Sequence, residues 1–507
     1  MRAARVQSLA LASRPLNTAS RSVLLVDLNN FSSFPTLAVG LLVASLRNAG
    51  CEVRLISPLA HDVEATEREH AETIVDQWAR RAHLSTMPAF RSTRDAARAV
   101  RYWWNNRPHP RVLRETAKAL EHRPDVLLLS AYLQHYPTVV ELGKLAKAAG
   151  VPLVVGGPMF NIAETAEAWR RVPGLAAVVG AEADLTIANI VVTAAEGGDL
   201  LQFDGVVLPD GRSSPSARPL RELDASPVPD FSDFPWDRYR VRIIPLMTGR
   251  GCQWSKCAFC SDVVSVSGRT YRTRSLESVL HEMREQARRH ETANFLFLDL
   301  KLNSNPAMFR GIIENVQRQV PGAQWIGTIH VDRRKDNGLS RGDLRAAVAA
   351  GMRRVSFGLE SGSQRLLDVM DKGSDVETNS AFVREAHEAG LSVRCTMMKG
   401  YPTETAEDLE LTAEFLEQHV NYIDRVRFNE FSLLSGTPVH QELLGGSTRL
   451  GDVRLIRPDE RRARIHYLVP NNGGRTYRKA KLRVLRAVYA INRRRIRSSA
   501  REFDGLM

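Results

Sequence analysis

Short apolar runs recur along almost all of this chain, each followed by a stretch with helical spacing. That alternation constrains the fold more than any other feature. Between residues 22 and 200 the runs fall at 23–27, 52–56, 125–130, 152–155 and 176–179, with a helical pattern at 36–48 and between the later runs. Runs apolar at every position, not every second one, are strands buried on both faces, which calls for parallel pairing with helices on either side. The expected class is α/β, opening with a doubly wound, Rossmann-like domain. From residue 241 the rhythm becomes regular, with strands expected at 243–248, 295–299, 325–330, 354–360, 393–398 and 426–433. Leu276, Val279, Leu280 and Met283 mark the apolar face of the first intervening helix. Six such units suit a partial (βα)6 barrel, whose chemistry would sit at the carboxyl ends of its strands.

The remaining stretches divide the chain. Residues 1–21 hold Arg2, Arg5, Arg14 and Arg21 with no acid before Asp27, and are expected to be a disordered leader. Residues 22–203 form the first domain, interrupted at 61–120 by an Arg- and Ala-rich helical insertion whose Trp78, Trp103 and Trp104 are expected to pack inside. Residues 204–240, rich in Pro, Ser and Asp, are expected to be a linker. The barrel takes 241–434, and 435–507 is expected to be a basic helical segment. Between Arg475 and Arg501 lie eleven Lys or Arg and no acid, a large part of the net charge of +13. A solvated basic helix face explains that charge, and an anionic substrate or partner is the alternative. Nucleic acid is not the expected partner. The apolar run at 37–46 is too short to span a bilayer, so no membrane is expected. The cytoplasm is the default compartment.

One loop carries the chemistry. Cys252, Cys257 and Cys260 stand within nine residues, directly after the first barrel strand, in a chain with only two other cysteines, Cys51 and Cys395. An odd number of cysteines in a long chain suggests a reducing compartment, not disulfides. A complete iron–sulfur cluster normally takes four thiolates; three leave one iron open to a ligand, which makes a reactive centre. Zinc is the competing reading, and it usually adds histidine or carboxylate. The nearest downstream histidine, His281, falls on an expected helix.

The cysteine run, with Phe259 before its last cysteine, resembles the cluster loop of the radical S-adenosylmethionine (SAM) enzymes. That family usually spaces its cysteines by three and two residues, whereas this chain has four and two. A surface loop absorbs one extra residue at little cost. The resemblance implies a [4Fe-4S] cluster on Cys252, Cys257 and Cys260. It places SAM against Phe259, Glu360, Ser361 and Gly400, with Pro402 shaping the same wall and Asp299 in the region that often holds the SAM amino group. The ends of the first-domain strands, at Asn29-Asn30, Ser130-Ala-Tyr132, Gly156-Gly157 and Gly180-Ala-Glu182, resemble those of the cobalamin-binding domain that precedes many radical SAM barrels. Glycines there are expected to let the backbone approach a bulky ligand. None of the thirteen histidines has an Asp two residues before it, so the Asp-x-His-x-x-Gly signature of a histidine ligand to cobalt is missing.

This resemblance implies a cobalamin-dependent radical SAM enzyme. Its most frequent outcome is C-methylation of an unactivated carbon in a specialised metabolite or peptide, through a 5′-deoxyadenosyl radical and methylcobalamin. The alternatives are a rearrangement, ring contraction or cyclisation without methyl transfer, or a non-catalytic iron–sulfur protein for electron transfer or sensing. The partners implied are a small-molecule or peptide substrate and an electron donor such as flavodoxin or ferredoxin.

Overall fold

The computed structural model describes residues 21–29, 33–64, 69–261, 271–469 and 473–506. Two six-stranded sheets organise them. The first contains β1 (Ser22–Asp27), β2 (Glu52–Ile56), β3 (Val126–Ser130), β4 (Leu153–Gly156), β5 (Leu175–Val179) and β6 (Val206–Val207), in the order β2-β1-β3-β4-β5-β6. All its pairings are parallel except that of β6 with β5. Val23, Leu25, Leu127 and Leu153 are fully buried, as the unbroken apolar runs require.

In the second sheet, β7 (Ile244–Leu246) pairs with β10 (Asn294–Phe297), followed by β11 (Gln324–Ile329), β12 (Met352–Glu360), β13 (Ser392–Lys399) and β14 (Arg425–Glu430). Every pairing is parallel, and among the described residues β7 and β14 are the outer strands with no further partner, so the barrel is open. Two short strands, β8 (Gly249–Arg250) and β9 (Arg272–Thr273), form an antiparallel arm beyond β7.

The two faces of the barrel sheet differ in kind. Phe295, Phe297, Trp325 and Val355 pack under the surrounding helices. On the inner face, Leu296 and Ile326 meet Phe34 of the first domain together with Phe503 and Leu506 of the tail. Arg354 is also buried there, donating to the carbonyls of Phe503 and Leu506 at 3.2 and 3.0 Å and to Glu69 at 3.2 Å. Arg394 donates to the other oxygen of Glu69 at 2.6 Å. The concave side of the barrel is thus closed at one end by residues far away in sequence.

Three segments depart from expectation. The stretch 204–240 is not a free linker: β6 extends the first sheet, and Phe231 is fully buried. Its ring fills the space that a Cβ on Gly40 would occupy. Trp236 stacks on His290 at 4.4 Å, so this stretch clamps helix Leu37–Asn48 to helix Leu276–His290. Within 435–507, an antiparallel hairpin of β15 (Arg454–Asp459) and β16 (Arg464–Leu468) precedes helix Arg475–Asn492. Its turn passes through Ala463 at φ 48°, without the glycine or asparagine that would advertise it. Trp78, Trp103 and Trp104 are 59%, 62% and 55% exposed, not packed inside. The leader lies outside the described residues apart from Arg21. Among those described, no helix is long and apolar enough to cross a membrane.

Because Phe231 is buried where both domains share one core, Phe231→Ala is expected to cost about 3–5 kcal/mol. Denaturant titration checks this, and a loss below about 1 kcal/mol would contradict the clamp.

Candidate functional site

The cysteine loop begins at β8 and is fastened on several sides. Below it, the buried Asp299 accepts from Thr248 Oγ1 at 2.6 Å and from the backbone N–H groups of Thr248 and Gly249 at 3.0 Å. Burial pushes this carboxyl up to about 6 against those hydrogen bonds. Both oxygens of Asp299 are therefore engaged in shaping the exit from β7. On the far side, Ala258 N donates to Met370 O at 2.8 Å, Val439 N to Ala258 O at 3.0 Å, and Trp254 Nε1 to Asp371 O at 2.8 Å. The Trp254 ring lies where a Cβ on Gly373 would be, and Gly373 also has φ +70°. Cys252, Cys257 and Cys260 are half-buried and form no disulfide, while Cys51 and Cys395 are buried elsewhere.

Buried cations face this loop. Lys372 Nζ lies 3.0 Å from Glu360 Oε1 and 5.7 Å from the centre of the Phe259 ring. Burial pulls its pKa down, but Glu360 and the thiols of Cys257 and Cys260 outweigh that and hold it above the ordinary value. Lys301 pairs with Asp332, both side chains almost completely buried. Burial lowers Lys301, while Asp332 and Cys252 favour its charged form. His330 is buried beside them and kept neutral, first by burial and then by Lys372 and Lys301. None of these four residues was among the expected site residues. Lysine and histidine near a strand end look like surface groups in a sequence; only their burial marks them.

Glu360 ends β12 with φ +60°, next to a bulge in the pairing with β13. Such a conformation costs of order 1–3 kcal/mol outside glycine. Here it turns the carboxylate toward Lys372, and Gly358 leaves the room: a Cβ there would lie 2.2 Å from Glu360 Oε1 and 2.6 Å from Lys372 Nζ. Ser361 Oγ bonds Thr412 Oγ1 at 3.1 Å. Gly400 (φ +83°) follows β13, with its N–H on Glu404 and its carbonyl taken by Tyr467 OH at 3.1 Å. Tyr477 donates to the same Glu404 oxygen at 2.7 Å, and burial pushes that carboxyl up to about 7. Lys399 and Glu430, the last residues of β13 and β14, pair at 2.8 Å.

The first sheet ends on one level, where Asp27, Ser130, Gly156 and Val179 are register partners. Asn29 N donates to Asp27 at 2.9 Å, while the buried Asn29 Oδ1 has no hydrogen-bond partner among the described residues. Asn30 lies outside the described residues. Tyr132 is 42% exposed at the end of β3. The glycines need a different explanation from the one expected. A Cβ on Gly157 would strike the carbonyl of Ala131, and one on Gly180 that of Phe160, each at 2.1 Å. Those two glycines let neighbouring loops lie on one another. Gly156 alone has open space, with only Val179 O at 3.6 Å. Glu182 is held by Arg272 at 2.6 Å and by Leu220 N at 2.7 Å.

The two sets of strand ends meet. Arg250, two residues before Cys252, pairs with Asp184 and lies 3.5 Å from Glu182, both just beyond β5. On the opposite side, the 454–468 hairpin reaches the first domain, where Arg461 O accepts from Trp169 Nε1 at 3.0 Å. Between hairpin and domain lies a cavity of about 740 Å3 bordered by Leu133 and Tyr136.

The donor sets fit the groups expected. Three half-buried thiols faced by two buried ammonium groups suit an anionic cluster. Glu360 and Gly400 offer a carboxylate and an open backbone turn at adjacent strand ends. The open Gly156 and the orphaned Asn29 oxygen suit a broad polar ligand on the first sheet.

Comparison with known proteins agrees. The Radical SAM superfamily model matches residues 246–416, and the B12 binding domain model matches residues 91–191. An uncharacterised methyltransferase of Pyrococcus horikoshii is 27% identical over 304 residues, 58% of this chain and 64% of its own length. The anaerobic magnesium-protoporphyrin IX monomethyl ester cyclase of Rubrivivax gelatinosus is 27% identical over 256 residues, 48% of this chain and 45% of the cyclase. The chain thus spans less than two thirds of either relative. Among solved structures, the cobalamin-dependent SAM radical enzyme OxsB with aqua-cobalamin bound superposes with a TM-score of 0.66 at 17% identity, covering 90% of this chain and 65% of that one. The radical SAM methyltransferase TsrM from Kitasatospora setae, with cobalamin and a [4Fe-4S] cluster bound, gives 0.58 at 18%, covering 87% and 81%. The chain thus carries a B12-binding domain leading into a radical SAM domain, and these two domains imply a [4Fe-4S] cluster, SAM and cobalamin as cofactors.

Proposed function

We propose that this enzyme is a C-methyltransferase acting on an unactivated carbon of a specialised metabolite or peptide. The observation that carries the reading is the Arg250 contact, which joins the strand ends of the barrel to those of the first sheet. Methyl transfer needs a methyl donor and a radical generator around one substrate carbon, since reacting atoms must approach within about 3–3.5 Å. The names of the Pyrococcus protein and of TsrM point the same way.

In this reading Cys252, Cys257 and Cys260 hold the cluster. Phe259, Glu360, Ser361 and Gly400 line the SAM side. Asn29, Ser130, Tyr132 and Gly156 line the cobalamin side, and Gly157, Gly180 and Glu182 hold that edge in shape. Asp299 positions the cysteine loop. When bound, these cofactors supply a hydrogen-abstracting radical and a transferable methyl group. The protein's part is placement. Lys372 balances charge beside the thiolates and fixes Glu360. The neutral His330 and the paired Lys301 and Asp332 line the same end of the barrel without offering a free charge. We assign the protein to the cytoplasm, with flavodoxin or ferredoxin as electron donor.

Two outcomes test this. Cys257→Ala should lower iron from about four per chain to near zero after anaerobic reconstitution, whereas Cys51→Ala should retain it; full iron in Cys257→Ala would refute the ligand set. With substrate, the product should gain one CH2 unit as 5′-deoxyadenosine accumulates. Deoxyadenosine with a product of unchanged or rearranged formula would favour the rearrangement reading instead.

A further inference from the structure

Helices Ile74–His83 and Arg91–Asn106 lean on helix Arg475–Asn492 and enclose a cavity of about 670 Å3. Its apolar surface comes from Trp78, Met87, Phe90 and Leu482, over the buried Leu485. Trp78 and Phe90 remain 59% and 57% exposed, a large area to leave in water. Around them stand six basic side chains, Arg81, Arg94, Arg98, Arg101, Arg478 and Lys481, and among the described residues no carboxylate lines the cavity. The positive field registers on its own members. His83 is lowered first by burial and then by Arg98 and Arg101, and Lys481 is brought to about 7 by burial, Lys399 and Arg94.

The cavity also adjoins the reactive end of the barrel. Arg98 pairs with Glu430 Oε2 at 2.9 Å, and Lys399 takes Glu430 Oε1 at 2.8 Å. These two residues end β13 and β14, so one ion pair separates the cavity from the strand ends. From the other side, Tyr477, one turn before Lys481 on the same helix, holds Glu404 under Gly400.

We propose that this cavity binds the unreactive part of the substrate, and that the substrate is a small amphipathic anion: a hydrocarbon or aromatic body carrying a carboxylate or phosphate. The inference rests on the reading of the chain as an enzyme for a small molecule, and names the class. The body lies on Trp78, Phe90 and Leu482, where contact takes apolar surface out of water. Arginines present a planar fork that suits either anionic head. Arg94 and Arg98 already pair with Asp95 and Glu430, but a neutral ligand would leave Arg81, Arg101 and Arg478 without a carboxylate partner among the described residues, and a small hydrophilic anion would leave the rings in water. A volume of several hundred Å3 suits a ligand of this kind.

Equilibrium dialysis of the cofactor-loaded, full-length protein with decanoate and with 1-decanol tests the proposal, because the two share a body and differ in charge. Decanoate should saturate near one per chain and bind at least tenfold more tightly than 1-decanol. Arg101→Glu should weaken decanoate tenfold or more while changing 1-decanol less than twofold, and Leu482→Asp should weaken both. Iron and cobalamin contents establish that each variant is folded. Decanoate binding no tighter than 1-decanol, or unmoved by Arg101→Glu, overturns the proposal. So does binding to phosphatidylglycerol vesicles without saturable decanoate, which would make this face a membrane surface. A product lacking an added methyl group would count against the methyltransferase reading and leave the dialysis result standing.

Discussion

Arg250 occupies a place where both halves of the molecule must agree. It ends the short strand that launches the cysteine loop, and its guanidinium is shared by Asp184 and Glu182, at the end of the last parallel strand of the first sheet. Arg272, its register partner on β9, takes Glu182 as well. All four side chains are largely withdrawn from solvent. Losing one partner of such a group strands the others without compensation, and for well-buried pairs that costs about 3–5 kcal/mol. The contact therefore fixes where the cysteines sit relative to the strand ends of the first sheet. The clamp at Phe231 and the hairpin contact at Trp169 hold the same orientation from other directions.

The barrel rim is unusual in how much charge it keeps out of water. Lys301 with Asp332 and Glu360 with Lys372 are buried pairs at this rim, and Lys399, buried at the end of β13, pairs with the more exposed Glu430 at the end of β14. A hydrophobic rim would be cheaper to fold, since burying charge is repaid only by good pairing. Retaining these pairs gives fixed dipoles and ammonium groups around the thiolates. Preorganised charge of this kind does not have to rearrange during a reaction, which is where electrostatic stabilisation is most effective. Glu360 shows the same priority in its backbone, which adopts a strained φ that aims its carboxylate at Lys372.

Much of this architecture is legible in the sequence because burial on both faces writes itself as unbroken apolar runs. The strands at 23–27 and 176–179 match the sheet to within one residue, and most others shift by only a residue or two. β7 and β14 end sooner than expected. The cysteine loop is legible because few chemistries need three thiols in nine residues. What stays hidden depends on contacts between distant segments. Lys372 and Lys301 are ordinary residues until Glu360 and Asp332 are folded against them. Gly157 and Gly180 suggest room for a ligand, yet serve loops that cross one another. Residues 204–240 have a linker's composition, and only Phe231 meeting Gly40 makes them a clamp. The 454–468 hairpin escapes because Pro458 interrupts one strand and its turn lacks glycine. The exposed tryptophans of the insertion break the usual rule for large apolar side chains, and of the three Trp78 borders the cationic cavity.

The central claim is that the strand ends of the two sheets serve one reaction centre, and electron paramagnetic resonance tests it most directly. In the fully loaded protein, cobalamin held as cob(II)alamin and the cluster reduced to its paramagnetic state should sense one another, broadening or splitting both signals relative to samples in which only one is paramagnetic. A spectrum equal to the simple sum of the two separate signals would place the centres too far apart for a shared substrate, and would contradict the account.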